Sequence, residues 1–368
     1  MGSIVPVGTH SGEIMSQPES APQTPELTPR QKEISALLEA GQLVEGRDAL
    51  RALIEEEATT PFHPNVVGAR LLLSKVHALL GEPKLAESTL VALQAIPEDD
   101  PQRTPVLINA QGLVSLLCRN QARFEEAFGL VNGMLQFFDN AAGDPVNPDS
   151  FRAILQMVQI AREGQQFQTA LDLCAQGIER FQGKVGEAHA HLVLQAGAIF
   201  MASEQYDAAR EHFEAILNQV MTQGGEKHEL AARANHFLAE LEQELDHPEK
   251  AIDHMEKCLR ILSEGGDPEF VVEVQHQLLQ WQLDALDTQV ALDALTSLKQ
   301  MATRVHGPRS PRTAEIVSSL GYHHRKQGQG IEARACYQEA LSIWKAWRAP
   351  EDPKVAVLES ILADLPSA

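Results

Sequence analysis

The chain has 368 residues, of which 43% are apolar and 5% aromatic, and its formal net charge is −21. This apolar fraction is enough for a packed core and excludes wholesale disorder. The negative charge argues against a general nucleic-acid binder or a protein adsorbed on anionic lipid. No run of about 18 uninterrupted apolar residues is present to cross a membrane as a helix.

Residues 1–28 are predicted to form a disordered tail, since residues 16–29 (SQPESAPQTPELTP) contain too few apolar side chains to pack. The first 29 residues include no Lys, no Arg and no apolar core segment, so they do not match a secretory signal. We expect a cytoplasmic protein, because its cysteines are widely separated and are predicted to be buried, reduced thiols inside helices. They are Cys118, Cys174, Cys258 and Cys336.

A repeat with a period of about 41 residues follows the tail and predicts the architecture. A small residue recurs at steps of 39 to 43 residues, at Gly46, Ala86, Ala127, Ala170, Ala209, Ala251, Ala291 and Ala333. Small residues at such positions let the two helices of a hairpin approach closely. Two units depart from the pattern, and looser or tilted helix packing is predicted for them. The first has Gly46, and the seventh has Leu278-Leu279 where a small residue is expected.

The best-formed unit runs from Arg312 to Trp344 and resembles a tetratricopeptide repeat (TPR). It matches the TPR consensus at Leu320-Gly321, Gly328, Ala333, Tyr337 and Ala340-Leu341. The resemblance implies an all-α fold, a right-handed α-solenoid of about eight helical hairpins over residues 29–349. Residues 350–368 are predicted to form a capping helix and the C-terminus, because Val357, Leu358, Ile361, Leu362 and Leu365 lie on one side of a helix.

The length of the repeat narrows the resemblance. The last unit adds Gly307, Pro311 and Ala314 before Leu320-Gly321 and ends with Ile343, and this pattern is similar to kinesin light chain repeats. The chain carries no long heptad region, so it resembles the bacterial kinesin light chains most. That resemblance implies binding to bacterial tubulin filaments.

Prolines between the units are predicted to mark the places where helices stop, and Pro83 and Pro248 to lie in the turns inside hairpins.

Motifs for catalysis are incomplete. His228-Glu229 begins an H-E-x-x pattern, but Ala232 occupies the position of the second zinc ligand. His189 and His191 point to different faces of a helix and cannot readily share a metal. The sequence contains no phosphate-binding loop, dinucleotide fingerprint or nucleophile elbow. We therefore predict no enzyme activity, no cofactor and no metal site.

Binding is expected on the concave face, which in TPR hairpins is lined by the first helix of each pair. Basic and amide side chains on that face of an acidic protein would suit an acidic peptide, although any solvated groove carries polar residues. The predicted residues are Lys75, Asn109, Arg119, Asn120, Arg152, Gln159, Arg162, Arg233, His236 and Tyr322.

A second predicted surface is basic. Residues 299–354 contain ten Lys or Arg against five Asp or Glu, a local balance of +5. The predicted patch consists of Arg304, Arg309, Arg312, Arg325, Lys326 and Arg334. Trp344 and Trp347 share a helix face beside it and are predicted to be core residues under the capping helix. If they are exposed instead, they would anchor an interface.

The leading hypothesis is a non-enzymatic protein–protein interaction scaffold. In its most specific form it is a bacterial kinesin-light-chain-like protein that binds tubulin filaments, although its net charge of −21 opposes an acidic filament. The alternative is a receptor or adaptor for a peptide or cargo protein, unrelated to filaments. Such receptors usually carry an effector domain before the repeats. A protein partner is expected in both cases, with no nucleic acid and no integral membrane segment.

Overall fold

The computed structural model describes residues 28–141, 147–181, 187–222, 225, 228–282 and 288–365. Throughout these ranges the regular elements are helices, which confirms the prediction of an all-α fold. The predicted tail lies outside the described residues except for Thr28. Its hydroxyl accepts a hydrogen bond from the backbone N–H of Gln31 at 3.2 Å and caps the first helix.

The chain divides into two compact units, Met1–Asp100 and Pro101–Ala368. The described helices of the first unit form two hairpins, α1 (Pro29–Glu39) with α2 (Leu43–Glu56), and α3 (Pro64–Leu79) with α4 (Pro83–Val91) and the 3-10 helix Ala92–Ala95. Consecutive helices of this unit pack against one another.

The described helices of the second unit form six further hairpins and a last single helix. The pairs are α5 (Arg103–Asn120) with α6 (Phe124–Ala141), α7 (Pro148–Glu163) with α8 (Phe167–Phe181), and α9 (Ala188–Ala202) with α10 (Tyr206–Thr222). They continue with α11 (Glu229–Glu244) and α12 (Pro248–Leu262), α13 (Pro268–Gln282) and α14 (Thr288–His306), α15 (Pro311–Lys326) and α16 (Gly330–Trp347), and end with α17 (Pro353–Asp364).

The recurring small residues lie where the two helices of a hairpin meet. The alanines of this set, from Ala86 to Ala333, are all fully buried. In the second hairpin the hydroxyl of Ser74 donates to the carbonyl oxygen of Ala86 at 3.0 Å. In α9 a Cβ added to Gly197 would lie 2.5 Å from the ring of Phe213, so only glycine fits. The small residues therefore set the distance between paired helices.

The two departures from the pattern have different outcomes. A Cβ at Gly46 would overlap the side chain of Leu38, so the helices of the first hairpin approach closely at this point. In the seventh hairpin Leu279 packs in a cluster with Ala291 and Leu295, while Leu278 packs in the cluster that contains Met255. The large side chains are thus divided between two cores.

Some prolines lie between helices, as predicted, at Pro61, Pro97, Pro101, Pro308 and Pro350. Others are instead the first residue of a helix, which corrects the prediction for those positions. The missing N–H of proline costs nothing in the first turn, where helical N–H groups have no partner within the helix. The helices that start at proline begin at Pro29, Pro64, Pro83, Pro148, Pro248, Pro268, Pro311 and Pro353.

In seven of the hairpins the described turn contains one residue with a left-handed backbone, at φ between 59° and 75°. Glycine adopts this conformation without strain, whereas other residues pay a steric penalty of about 1 kcal/mol. The glycines are Gly41, Gly81 and Gly328, and the other residues are Ala122, Gln165, Glu204 and Asp246.

The last helix covers the end of the eighth hairpin. Val355 and Leu358 of α17 are buried, and the indole rings of Trp344 and Trp347 are 2% and 4% exposed. These exposures confirm the prediction that both tryptophans belong to the core. A guanidinium N–H of Arg334 donates to the carbonyl oxygens of Leu362 at 2.8 Å and of Leu365, and so caps the C-terminal end of α17.

Candidate functional site

The predicted concave-face residues all lie on first helices of hairpins, but their charges are largely paired. Lys75 is an exposed residue of α3 in the first unit. In the second unit, Arg119 of α5 and Glu163 of α7 form a two-point ion pair, with Nε 2.7 Å from Oε2. Burial lowers the pKa of Arg119, but the pair with Glu163 outweighs it, and the net pKa is raised. Arg152 pairs with Asp149 of its own helix at 2.9 Å.

The other predicted residues of this set vary in environment. Arg233 pairs with Glu229 at 2.6 Å and lies over the ring of Phe270. His236 is buried. Asn109 is exposed, and Asn120, Gln159 and Arg162 are half-buried.

A groove of about 850 Å³ lies within the second unit, between α11, α13, α15, α16 and α17. One wall carries hydrogen-bonding side chains, at Glu240, Glu273, His276, Gln277, Gln280 and Ser319. A second wall, formed from α15 to α17, is aromatic and aliphatic, at Tyr322, Tyr337, Trp344, Val357, Leu358 and Ile361. The side chains of Tyr322 and Val357 are 55% and 57% exposed, so the apolar wall is open to solvent.

Both cations of the groove are held by one carboxylate. Arg312 Nη1 lies 3.0 Å from Glu315 Oε2, and Lys354 Nζ lies 2.8 Å from Glu315 Oε1. Arg312 also approaches Glu273 at 3.4 Å, and the ammonium of Lys354 lies 4.3 Å from the ring centre of Trp344. These contacts link α13, α15 and α17 across the groove.

Hydrogen bonds join neighbouring repeats along the polar wall. His236 Nε2 donates to Gln277 Oε1 at 2.9 Å, and Gln277 Nε2 donates to Glu240 Oε1 at 3.0 Å. The geometry assigns the proton of His236 to Nε2, since the amide donates its own hydrogen to the carboxylate.

His276 and Ser319 form a contact of 3.0 Å that has the composition of a base and a nucleophile. The hydroxyl of Ser319 donates to the carbonyl oxygen of Glu315 at 3.2 Å, and Gln280 Nε2 donates to the Ser319 oxygen at 3.3 Å. The imidazole is therefore a donor to Ser319 and does not accept its proton. Burial lowers the pKa of His276 to about 4, so the ring is neutral at pH 7.

The six residues of the predicted basic patch lie in different environments. Arg312 lies in the groove and Arg334 caps α17, so these two cations contribute to internal contacts. Arg304, Arg309, Arg325 and Lys326 are exposed. The guanidinium of Arg309 donates to the Ser342 carbonyl at 3.4 Å, and its own carbonyl accepts from the Trp347 indole at 2.8 Å.

The sequence indicated only part of the groove. Tyr322 was predicted to bind a partner, and Arg312 was placed in the basic patch. Glu273, Glu315 and Lys354 were missed, because their contacts join residues about 40 positions apart. The sequence did contain one signal for the groove, the apolar stripe of α17. This stripe is wider than packing against the last hairpin alone requires. It packs on the last hairpin through Val355 and also faces the groove through Val357.

Within the described part of the chain, no cluster of three or more His, Cys, Asp or Glu side chains is arranged to hold a metal ion. The described helices also include none that is both long enough and apolar enough to cross a membrane.

Residues 187–264, which contain α9 to α12, match the family model of the tetratricopeptide repeat. This match confirms the prediction of tetratricopeptide repeats for these residues. No curated protein matches the chain in sequence.

Solved structures of repeat proteins resemble the chain at low identity. A Rap protein complexed with Competence and Sporulation Factor is 9% identical, with a TM-score of 0.50 over 91% of this chain and 96% of that one. BtubC (BKLC) from P. vanneervenii is 17% identical, with a TM-score of 0.46 over 62% of this chain and 91% of its own. A tetratricopeptide repeat protein from Parabacteroides merdae is 13% identical, with a TM-score of 0.46 over 91% and 96% of the two chains. At these identities the likenesses do not bear on the partner of this chain.

Proposed function

We propose that the protein is a non-enzymatic interaction scaffold that binds an extended segment of a partner protein in the groove between α11 and α17. The observation that carries the proposal is the pairing of one hydrogen-bonding wall with one open apolar wall in a single groove. An extended peptide presents both backbone polar groups and side chains, and such a groove accommodates both. The walls are also held in place by contacts between neighbouring repeats, so little ordering is required on binding.

Selection of a random dodecapeptide library on the full chain, followed by calorimetry with the selected peptides, tests this function. Tyr322→Ala removes an exposed ring from the groove, and we expect affinity to fall about tenfold or more. Ile331→Ala is the matched control, because Ile331 is 66% exposed and lies outside the groove. Selected peptides that bind both variants equally well would contradict the proposal.

A filament surface is the second candidate, favoured by the exposure of Arg304, Arg309, Arg325 and Lys326 near the eighth hairpin. Co-sedimentation with polymerised bacterial tubulin at low salt tests it, since electrostatic docking weakens as salt screens the charges. We expect the double variant Arg309→Glu with Arg325→Glu to lower the bound fraction. Filaments that sediment without the wild-type protein would exclude this partner.

A further inference from the structure

We propose that the groove selects a peptide with a cationic side chain at its α11–α13 end and a large apolar side chain at its α15–α17 end. This inference rests on the proposed function and names the chemistry of the ligand. It reverses the expectation from sequence that an acidic peptide would bind.

The charge of the groove is the first argument. Its lining contains Glu240, Glu273 and Glu315 against Arg312 and Lys354, which leaves an excess of one negative charge. On the α15–α17 side both cations lie within 3.0 Å of Glu315, which leaves one positive charge there, whereas Glu240 and Glu273 carry two negative charges. The excess charge therefore belongs to the side formed by α11 and α13.

Glu240 is the strongest acceptor for a cation from a partner. Its Oε1 accepts a hydrogen bond from the neutral amide of Gln277 at 3.0 Å and lies 3.9 Å from Nε2 of His236. A lysine or arginine brought to this carboxylate would form a charge-assisted hydrogen bond, which is shorter and stronger than a bond between neutral groups.

The donors of the polar wall are already engaged, which disfavours an acidic peptide. His236 donates to Gln277, and His276 donates to Ser319. Arg312 is shared between two carboxylates. A carboxylate from a partner would have to displace one of these bonds and would also meet the excess negative charge.

The apolar end supplies the second half of the specificity. Tyr322 and Val357 are exposed, and the buried rings of Tyr337 and Trp344 form the surface beneath them. Covering these side chains with a large apolar residue removes nonpolar area from water, which stabilises the complex. The apolar end, on α15 to α17, is thus separated from Glu240 of α11 by α13.

The length of the ligand follows from the spacing of the helices. Side-chain contacts connect α11 to α13, α13 to α15, and α15 to α17. Packed helices lie about 8–10 Å apart, so the two steps from Glu240 to Tyr322 and the three steps to Val357 span about 16–30 Å. An extended chain advances about 3.3 Å per residue, and the two anchors should therefore lie about five to nine residues apart.

The test compares two double variants that remove the same charge. Glu240→Gln with Glu273→Gln acts in the groove and keeps similar side-chain shapes. Glu244→Gln with Glu256→Gln acts on exposed carboxylates outside the groove lining and is the matched control. Nonspecific attraction of basic peptides to an acidic protein would weaken equally in both variants, whereas a groove contact would weaken only in the first.

Dodecapeptides selected from a random library on the full chain should be enriched in Lys or Arg placed about five to nine residues from Phe, Leu, Met or Trp. The groove variant should bind them about tenfold more weakly at low salt, with a smaller loss at high salt, and the control should bind like wild type. Selected peptides that require Tyr322 but are neutral or acidic would overturn the inference and leave the groove function standing. An equal loss in both double variants would overturn it too. Peptides that do not depend on Tyr322 would overturn both proposals.

Discussion

The first-helix faces of α5 and α7 differ from those of α13 and α15, although the same repeat frame places them. On α5 and α7 two cations are paired with carboxylates, Arg119 with Glu163 and Arg152 with Asp149. In the groove lining of α13 and α15, two carboxylates, Glu273 and Glu315, share one cation, Arg312. Glu163 and Glu273 come from repeats next to those of their arginines, so residue type at a repeat position does not determine the charge that a face presents.

The last helix makes the second difference. α17 contacts α15 through Lys354 and Glu315 and supplies Lys354, Val357 and Ile361 to the groove, so the groove is bounded by α17 as well as by α15. A face that is bounded on two sides can enclose a ligand segment, whereas a single helix face offers contacts on one side only.

The largest expected effect is on stability, and it distinguishes two neighbouring residues of α17, Leu358 and Val357. Leu358 is 5% exposed, and Leu358→Ala should destabilise the packing of α17 by about 2–4 kcal/mol and weaken peptide binding. Val357→Ala should weaken binding with a change in stability below about 0.5 kcal/mol, because Val357 is 57% exposed. Urea unfolding followed by tryptophan fluorescence measures both. Equal stabilities of the two variants would show that α17 is not packed on the last hairpin as described.

Acid should destabilise the groove region through His276. Burial lowers the pKa of this histidine to about 4 from 6.5, so the folded chain resists protonation while the unfolded chain accepts a proton. The unfolded state then binds more protons between those two pH values, and stability falls as the pH falls from about 6.5 toward 4. From pH 7 to pH 5 this histidine should account for about 2 kcal/mol.

The check is urea unfolding at both pH values with His276→Gln, since a glutamine amide can still donate to Ser319. The variant should lose about 2 kcal/mol less than wild type on acidification. The same loss in both proteins would contradict the assigned environment of His276.

The close helix packing that the small repeat residues allow is common to both regions. It can be tested independently of the charges. Gly197→Ala would bring a Cβ within 2.5 Å of the fully buried Phe213, and we expect a loss of about 1–3 kcal/mol. Gly133→Ala is the control, because no atom lies within 4 Å of an added Cβ there. It should stabilise α6 by about 0.5–1 kcal/mol through helix propensity. Thermal unfolding measures both variants. A shift of the unfolding midpoint in the same direction in both would contradict this helix packing.

The smallest expected effect on stability comes from breaking one ion pair in each region. Glu163→Gln removes the partner of Arg119 and should cost about 1 kcal/mol or less, because both side chains are partly exposed. Glu315→Gln removes the partner of two cations and should cost a similar amount of stability. Glu315→Gln should also weaken the binding of cationic peptides in the groove, because Arg312 and Lys354 lose their compensating charge. Equal peptide affinity in wild type and Glu315→Gln would contradict the charge balance described for the groove.

The sequence was sufficient for the helices, the small residues between them and the covering role of α17, because these depend on local periodicity and on one side chain at a time. Ala209 and Ala251 lie where the period predicts, and both are fully buried. The sign of the net charge in the groove was not predictable in the same way. Arg312 reads as a basic surface residue, and only the placement of Glu273 and Glu315 beside it shows that its charge is compensated.

The prolines illustrate a different limit. Pro83 and Pro248 indicate a helix boundary from sequence, but proline is compatible both with the segment after a helix and with the first turn of the next. The structure places both at helix starts.

Hydrogen exchange measured by mass spectrometry, on the full chain with and without a saturating library-selected peptide, tests the central claim most directly. The account predicts slower exchange in α13, α15 and α17, where a bound segment would restrict local opening, and unchanged exchange in α5 and α7. Protection of α5 and α7 with no change in α13, α15 and α17 would contradict it.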